Sequence, residues 1–114
     1  MPTLLELAYE AVDSKKAEDI VVLNMEGISL IADQFIICHA NSERQVQAIA
    51  REVADAASKE GYTVKRLEGF DAGRWILVDL LDVVVHVFHR DERGFYNLEK
   101  LWGDAQLLNV EDEV

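Results

Sequence analysis

Leu4, Leu5, Ala8, Ala11 and Val12 recur at helical spacing, with Glu6 and Glu10 among the positions between them. This predicts a short amphipathic helix from Thr3 to about Ser14. The β-branched run Asp19 to Met25 predicts a strand, followed by a turn around Gly27, and Gln34 to Cys38 predicts a second strand. Asn41-Ser42-Glu43-Arg44-Gln45 is a helix entry: the Ser42 hydroxyl can accept from the third helical amide while Gln45 reaches back to the cap. From there Val46, Ile49, Ala50, Val53 and Ala57 share one face, and Gly61 supplies a left-handed stop.

Beyond Gly61 the period changes from helical to two. Tyr62 to Leu67 alternates as a half-buried strand does and ends near Gly69, and Arg74 to Asp79 and Asp82 to Phe88 follow with only Leu80-Leu81 between them. So short a link forces an antiparallel hairpin. With Leu80-Leu81 as the loop, Asp79 lies opposite Asp82, Leu77 opposite Val84 and Trp75 opposite His86. Trp75, Leu77, Asp79, Val84, His86 and Phe88 then share one face as a contiguous patch, and Ile76, Val78, Val83, Val85 and Val87 form the aliphatic other face. Leu-Leu is a poor turn for positive φ, so the alternative is a register shifted by one residue, which would scramble these faces. The order α-β-β-α-β-β-β predicts an α/β domain of mixed α+β type, a small mixed sheet flanked by helices. One domain spans 1–104, and residues 105–114, ending in Glu111-Asp112-Glu113, are expected to form a flexible acidic tail.

Composition narrows the function. The 114 residues carry 22 acidic and 11 basic side chains, a net charge of −11. Sequence-independent nucleic-acid coating is disfavoured, since it depends on Lys and Arg displacing counterions from phosphates. An acidic surface speeds encounter with a basic protein or a cationic ligand, or it serves only solubility. Half the residues are hydrophobic and one is proline, a packed globular composition. The lone Cys38 can form no internal bridge and no Cys/His cluster has zinc-ligand spacing, so no metal is expected and a reducing, cytoplasmic compartment is. No apolar run approaches the roughly 18 residues of a membrane span, and Met1-Pro2-Thr3 opens without a cationic signal, so neither membrane insertion nor secretion is expected.

Three kinds of chemistry can be weighed. A nucleophile and base would need Cys38 near His39, His86 or His89, which sequence cannot bring together; a buried inert thiol is the plainer reading. Gly27-Ile28-Ser29 followed by Asp33-Gln34-Phe35 loosely resembles the Gly-Ser and Asp-x-Asp elements of the nucleotidyltransferase fold. That chemistry needs two carboxylates on one strand face to hold Mg²⁺, and here Asp33 is paired with Phe35. Asp79 and Asp82 are a replacement pair or ordinary turn residues. No Walker loop or dinucleotide glycine fingerprint occurs. The aromatic residues suit either an interface or a cover over the sheet.

A family resemblance bears on all three. Asp33-Gln34-Phe35-Ile36-Ile37, the Ser42-to-Gln45 entry with Val46 and Ile49, Glu68-Gly69, Trp75 to Asp79, Asp82 to Phe88, and Arg93 with Phe95 to Trp102 together strongly resemble the ribosomal silencing factor, or Iojap-like, family. The match covers nearly the whole chain. Leu81 departs from it, since the family commonly has glycine there. The resemblance implies a nucleotidyltransferase-like fold without the catalytic acids, no enzymatic activity and no cofactor. It implies binding to the large ribosomal subunit through ribosomal protein L-fourteen, obstruction of small-subunit joining in starvation or stationary phase, and a homodimer when free. Joined to the hairpin faces, it places Trp75, Leu77, Asp79, His86, Phe88, Tyr96, Leu98, Glu99 and Trp102 at the partner surface. The alternative is a nucleotidyl or phosphoryl transferase of the same fold using Asp33, Asp79 or Asp82.

Overall fold

The computed structural model describes residues 3–24 and 33–91 and the backbone of 106–108. The turn expected at Gly27 and the segment from Arg93 to Trp102 lie outside the described residues. The elements run α1 (Leu4–Ser14), β1 (Glu18–Asn24), β2 (Gln34–Ala40), α2 (Glu43–Lys59), β3 (Arg66–Glu68), β4 (Trp75–Asp79), β5 (Val83–His89) and β6 (Gln106–Leu108). This bears out the mixed α+β reading. Gln106–Leu108 departs from the flexible tail expected from 105 onward: its backbone pairs antiparallel with β1, Leu23 opposite Leu107.

One sheet of order β3-β4-β5-β2-β1-β6 organises the chain. All neighbours are antiparallel except β2 and β5, which run parallel from Gln34↔Val83 to Ala40↔His89. A parallel pair requires a crossover, and α2 supplies it, packing on β2, β4 and β5 with α1 beside it. Val46, Ile49, Ala50, Val53 and Ala57 of α2 and Ala8, Ala11 and Val12 of α1 meet Val22, Ile36, Cys38, Ile76, Val78, Val83, Val85 and Val87 in the main core. Among the described residues no helix is long and apolar enough to cross a membrane.

Local signals explain the helix ends. Ser42 accepts from the Gln45 amide at 3.1 Å, as expected, but the Gln45 side chain does not return to the cap; it donates to the Lys15 and Lys16 carbonyls at the end of α1, at 3.3 and 3.4 Å. The reciprocal box forms instead at α1, between Thr3 and Glu6. Gly61 ends α2 at φ +86°. β3 is shorter than the alternation from Tyr62 implied: Arg66–Glu68 pair with β4, the Lys65 amide donates to the Asp79 carbonyl at 2.8 Å at its start, and all three strand residues are exposed.

The hairpin register corrects the sequence reading. Asp79 pairs with Val84, Leu77 with His86 and Trp75 with Phe88, a slip of two residues from the expected pairing. Leu80 is drawn into the main core at 2 % exposure, which moves the turn on to Leu81-Asp82. The Leu80 amide donates to the Val83 carbonyl at 2.9 Å and the Asp82 amide to the Leu80 carbonyl at 3.2 Å, a γ-turn with Leu81 at φ +77°. An even slip leaves every side chain on its face, so the two predicted faces survive.

Leu81 has a left-handed φ, an arrangement that costs a residue with a Cβ roughly 1–2 kcal/mol. Its side chain is 46 % exposed, so little packing offsets that. Leu81→Gly should raise the unfolding free energy by about 1 kcal/mol in denaturant titration after the entropy of the freer unfolded chain is subtracted. An unchanged or lower midpoint would refute strain at the turn.

Candidate functional site

The face of the sheet away from the helices carries a second apolar cluster. Leu23, Phe35, Ile37, Val84 and Phe88 are buried in it, with Val21, Trp75 and Leu77 packed against them partly exposed. Strand alternation explains the membership: Phe35, Ile37 and His39 of β2 are the odd positions, and parallel pairing sets them beside Val84, His86 and Phe88 of β5.

At the centre stands an aromatic stack. Trp75 and Phe88, directly opposed, have ring centroids 5.1 Å apart at 23°, and His86 and Phe88 lie 6.4 Å apart at 13°. Phe35 approaches His86 at 4.9 Å and 56°, a tilted contact. The Trp75 Nε1–H donates to His86 Nδ1 at 3.2 Å. Accepting at Nδ1 places the imidazole proton on Nε2, which is buried and has no partner among the described residues. Burial lowers the His86 pKa from 6.5 to about 4, so the ring is neutral at physiological pH.

Asp79 has a different task from the one expected of it. It is 1 % exposed; Oδ2 accepts from Arg66 Nε and Nη2 at 3.3 and 3.2 Å, and Oδ1 accepts from the Leu81 amide at 2.9 Å. Both oxygens are thus spent on joining β3 to the hairpin turn. Asp82 is exposed in the turn, where its carbonyl accepts from the Asp33 and Gln34 amides at 2.9 and 3.1 Å. The two acids weighed as a metal pair are therefore employed differently, one in the fold's interior and one at its rim.

Beside the stack a cavity of about 290 Å³ is lined by Glu68, Gly69, Trp75 and Leu77. Gly69 sits at φ +78°, and a Cβ there would run into the Trp75 carbonyl oxygen. The glycine lets the β3–β4 connection close against the tryptophan backbone.

Of the residues expected at the partner surface, Trp75 and Leu77 are half-buried and line the cavity. Asp79, His86 and Phe88 lie deeper, at 1 %, 4 % and 1 % exposure: β4 and β2 flank His86 and Phe88 on either side, and Asp79 is held under the Arg66 guanidinium. Tyr96, Leu98, Glu99 and Trp102 fall outside the described residues. Cys38 points into the helix-side core, whereas His39 and His86 face the other way across the sheet; His89, two residues on from the Val87 that pairs with Cys38, ends its strand with Nδ1 accepting from the Asp91 amide at 3.2 Å. Sequence reasoning missed Arg66 as the partner of Asp79 and Phe35 as a member of the stack. Arg66 was hidden by uncertain β3–β4 pairing, and Phe35 by the long sequence gap between β2 and β5.

The sequence profile of the family described as ribosomal silencing factor during starvation matches residues 1–114. The chain belongs to this family. The ribosomal silencing factor of Bacillus subtilis is 63 % identical over 109 residues, covering 96 % of this chain and 92 % of that protein, and that of Halalkalibacterium halodurans is 65 % identical over 108, covering 95 % and 92 %. A crystal structure from Bacillus halodurans superposes with a TM-score of 0.84 at 60 % identity, covering 93 % of this chain and 96 % of that one. More distant is the mouse protein named mitochondrial assembly of ribosomal large subunit protein 1, 26 % identical over 96 % of this chain and 51 % of its own length. The name of the silencing factor family describes a regulatory role. In this member the apolar face is built around a neutral histidine.

That histidine makes stability depend on pH with a definite sign. Below pH 6.5 the unfolded chain takes up a proton that the folded chain refuses until about pH 4, so stability is full above 6.5 and falls as pH drops through that window. The loss attributable to His86 should be about 3 kcal/mol. Denaturant titrations of wild type and His86→Phe at pH 7.5 and 4 should show the wild type losing that much more; equal losses would remove His86 from the acid sensitivity.

Proposed function

We propose that this protein binds the large ribosomal subunit through ribosomal protein L-fourteen, at the face that meets the small subunit, and so keeps the two subunits apart when nutrients are scarce. The observation that carries the reading is the family match over residues 1–114. The mechanism is steric. A rigid domain seated on that interface excludes the other subunit by mass action and needs no catalysis. The reading is supported by the name of the mouse relative, which ties that protein to assembly of a large ribosomal subunit.

The partner surface combines the half-buried Trp75 and Leu77 with Tyr96, Leu98, Glu99 and Trp102 of the following segment. A net charge of −11 favours a basic protein partner and opposes spreading over ribosomal RNA. In the cytoplasm without a ribosome to bind, the same apolar surface serves pairing with a second copy.

Trp75→Ala should weaken binding to isolated L-fourteen by about 2 kcal/mol, roughly thirtyfold, as truncation of an aromatic anchor does. Ile76→Ala is the contrast, since Ile76 lies in the helix-side core. It should lower stability by about 3 kcal/mol while the folded fraction binds normally. The reverse pattern would move the interface to the other side of the sheet.

Electrostatic steering is tested by kinetics. Raising salt from about 0.05 to 0.5 M shortens the Debye length from roughly 14 to 4 Å. Association with L-fourteen should slow while dissociation changes less. A salt-independent association rate would leave the apolar surface to carry recognition alone.

A further inference from the structure

A histidine in the middle of a central strand, with one ring nitrogen unpaired among the described residues, is a poor choice for stability. Phenylalanine would fill the same space among Phe35, Trp75 and Phe88 without a buried polar atom to satisfy. What histidine supplies there, and phenylalanine cannot, is an acceptor for the Trp75 indole N–H. At 4 % exposure His86 cannot itself be the group a partner touches, whereas Trp75 is half-buried and forms a wall of the cavity with Glu68, Gly69 and Leu77.

We propose that His86 is a positioning residue for recognition: by accepting from Trp75 Nε1 it fixes the rotation of the indole and so sets the shape of the cavity wall offered to the ribosomal partner. The proposal rests on the reading of Trp75 as a partner contact given above. The geometry supports it from three sides. The indole is stacked on Phe88, hydrogen-bonded to His86, and attached to a backbone whose carbonyl abuts Gly69. Stacking limits the tilt of the ring and the close approach limits the backbone, but neither prevents the indole from turning over within its plane of contact. The directional bond to Nδ1 does, since only one edge of the indole carries a donor. Rigid presentation lowers the ordering cost at binding, which is how a buried group can act on affinity without contact.

The test separates this role from ordinary packing. Affinity for isolated L-fourteen, unfolding by denaturant and the Trp75 indole resonance in ¹H–¹⁵N spectra are measured for wild type, His86→Phe, His86→Asn and Trp75→Ala, the last also assigning the resonance. His86→Phe packs but does not accept; His86→Asn packs less well but keeps an acceptor oxygen where Nδ1 stands. Expected is a dissociation of the two properties. His86→Phe should stay folded, shift the indole resonance and bind about tenfold more weakly, the scale of one lost hydrogen bond. His86→Asn should be less stable yet keep the resonance and bind within about twofold of wild type. In a Trp75→Ala background His86→Phe should cost nothing further.

Binding that tracks stability across the variants, an unaffected His86→Phe, or an equal cost of His86→Phe without Trp75 would overturn the positioning role while leaving the ribosomal reading intact. Absence of binding by wild type, to L-fourteen and to whole large subunits, would overturn that reading and the positioning role with it. If His86→Phe does not fold, His86→Leu, which also lacks an acceptor, takes its place.

Discussion

The parallel ladder between β2 and β5 is the constraint on which the rest of the structure depends. Seven residues of each strand pair in unbroken register, and most of their side chains are buried. Two parallel strands cannot be joined by a tight turn, so the chain between them must travel back along the sheet, and α2 is that return. Once α2 lies across the pair, α1 has an apolar neighbour, β4 has an edge to extend and β1 has one on the other side. The ladder also assigns the faces. Even positions of β2 meet the helices and odd positions meet the second cluster, so a slip of one residue would exchange Phe35 and Ile37 for Ile36 and Cys38.

Two polar groups are buried beneath the second face, and they are accommodated in opposite ways. Asp79 is surrounded by donors: two from Arg66 and one from the Leu81 amide use both oxygens, and the half-exposed guanidinium faces water on its far side. Such a group joins three chain segments, β3, β4 and the turn. His86 instead stays neutral within aromatic surroundings and has a single bonded nitrogen among the described residues. A network left half-satisfied is a local conflict with stability, and such conflicts tend to sit where a protein does its work.

On the proposed reading, the two layers divide the labour that a steric regulator requires. The helix layer turns its polar residues outward, Glu10, Asp13, Arg51 and Asp55 among them, which suits a side that must remain in water. The other layer gathers Trp75 and Leu77 at partial exposure over a rigid floor of Phe35, Ile37, Val84 and Phe88. Rigidity matters here because a domain that excludes another by its bulk must hold its shape while bound. On the proposed reading, adhesion comes from the apolar layer and approach from the excess of acidic charge, two physically independent contributions.

By itself the sequence determined the local elements, their faces and the family. Periodicity placed α2 and its buried stripe, Ser42 and Gly61 marked its ends, and strict alternation sorted Ile76, Val78, Val83, Val85 and Val87 from Trp75, Leu77 and His86. These are properties of neighbouring residues, and the chain states them directly. Tertiary structure decided the hairpin register, because the burial of Leu80 in a core built by distant helices carries the two-residue turn one position further along the chain. It decided that Gln45 would bridge to α1 instead of closing its own cap, and that Gln106–Leu108 would extend the sheet beside β1. It also decided which members of the aromatic face reach the surface. Alternation says which way a side chain points, but exposure depends on what lies on either side, and His86 and Phe88 have a strand on each flank, β4 and β2.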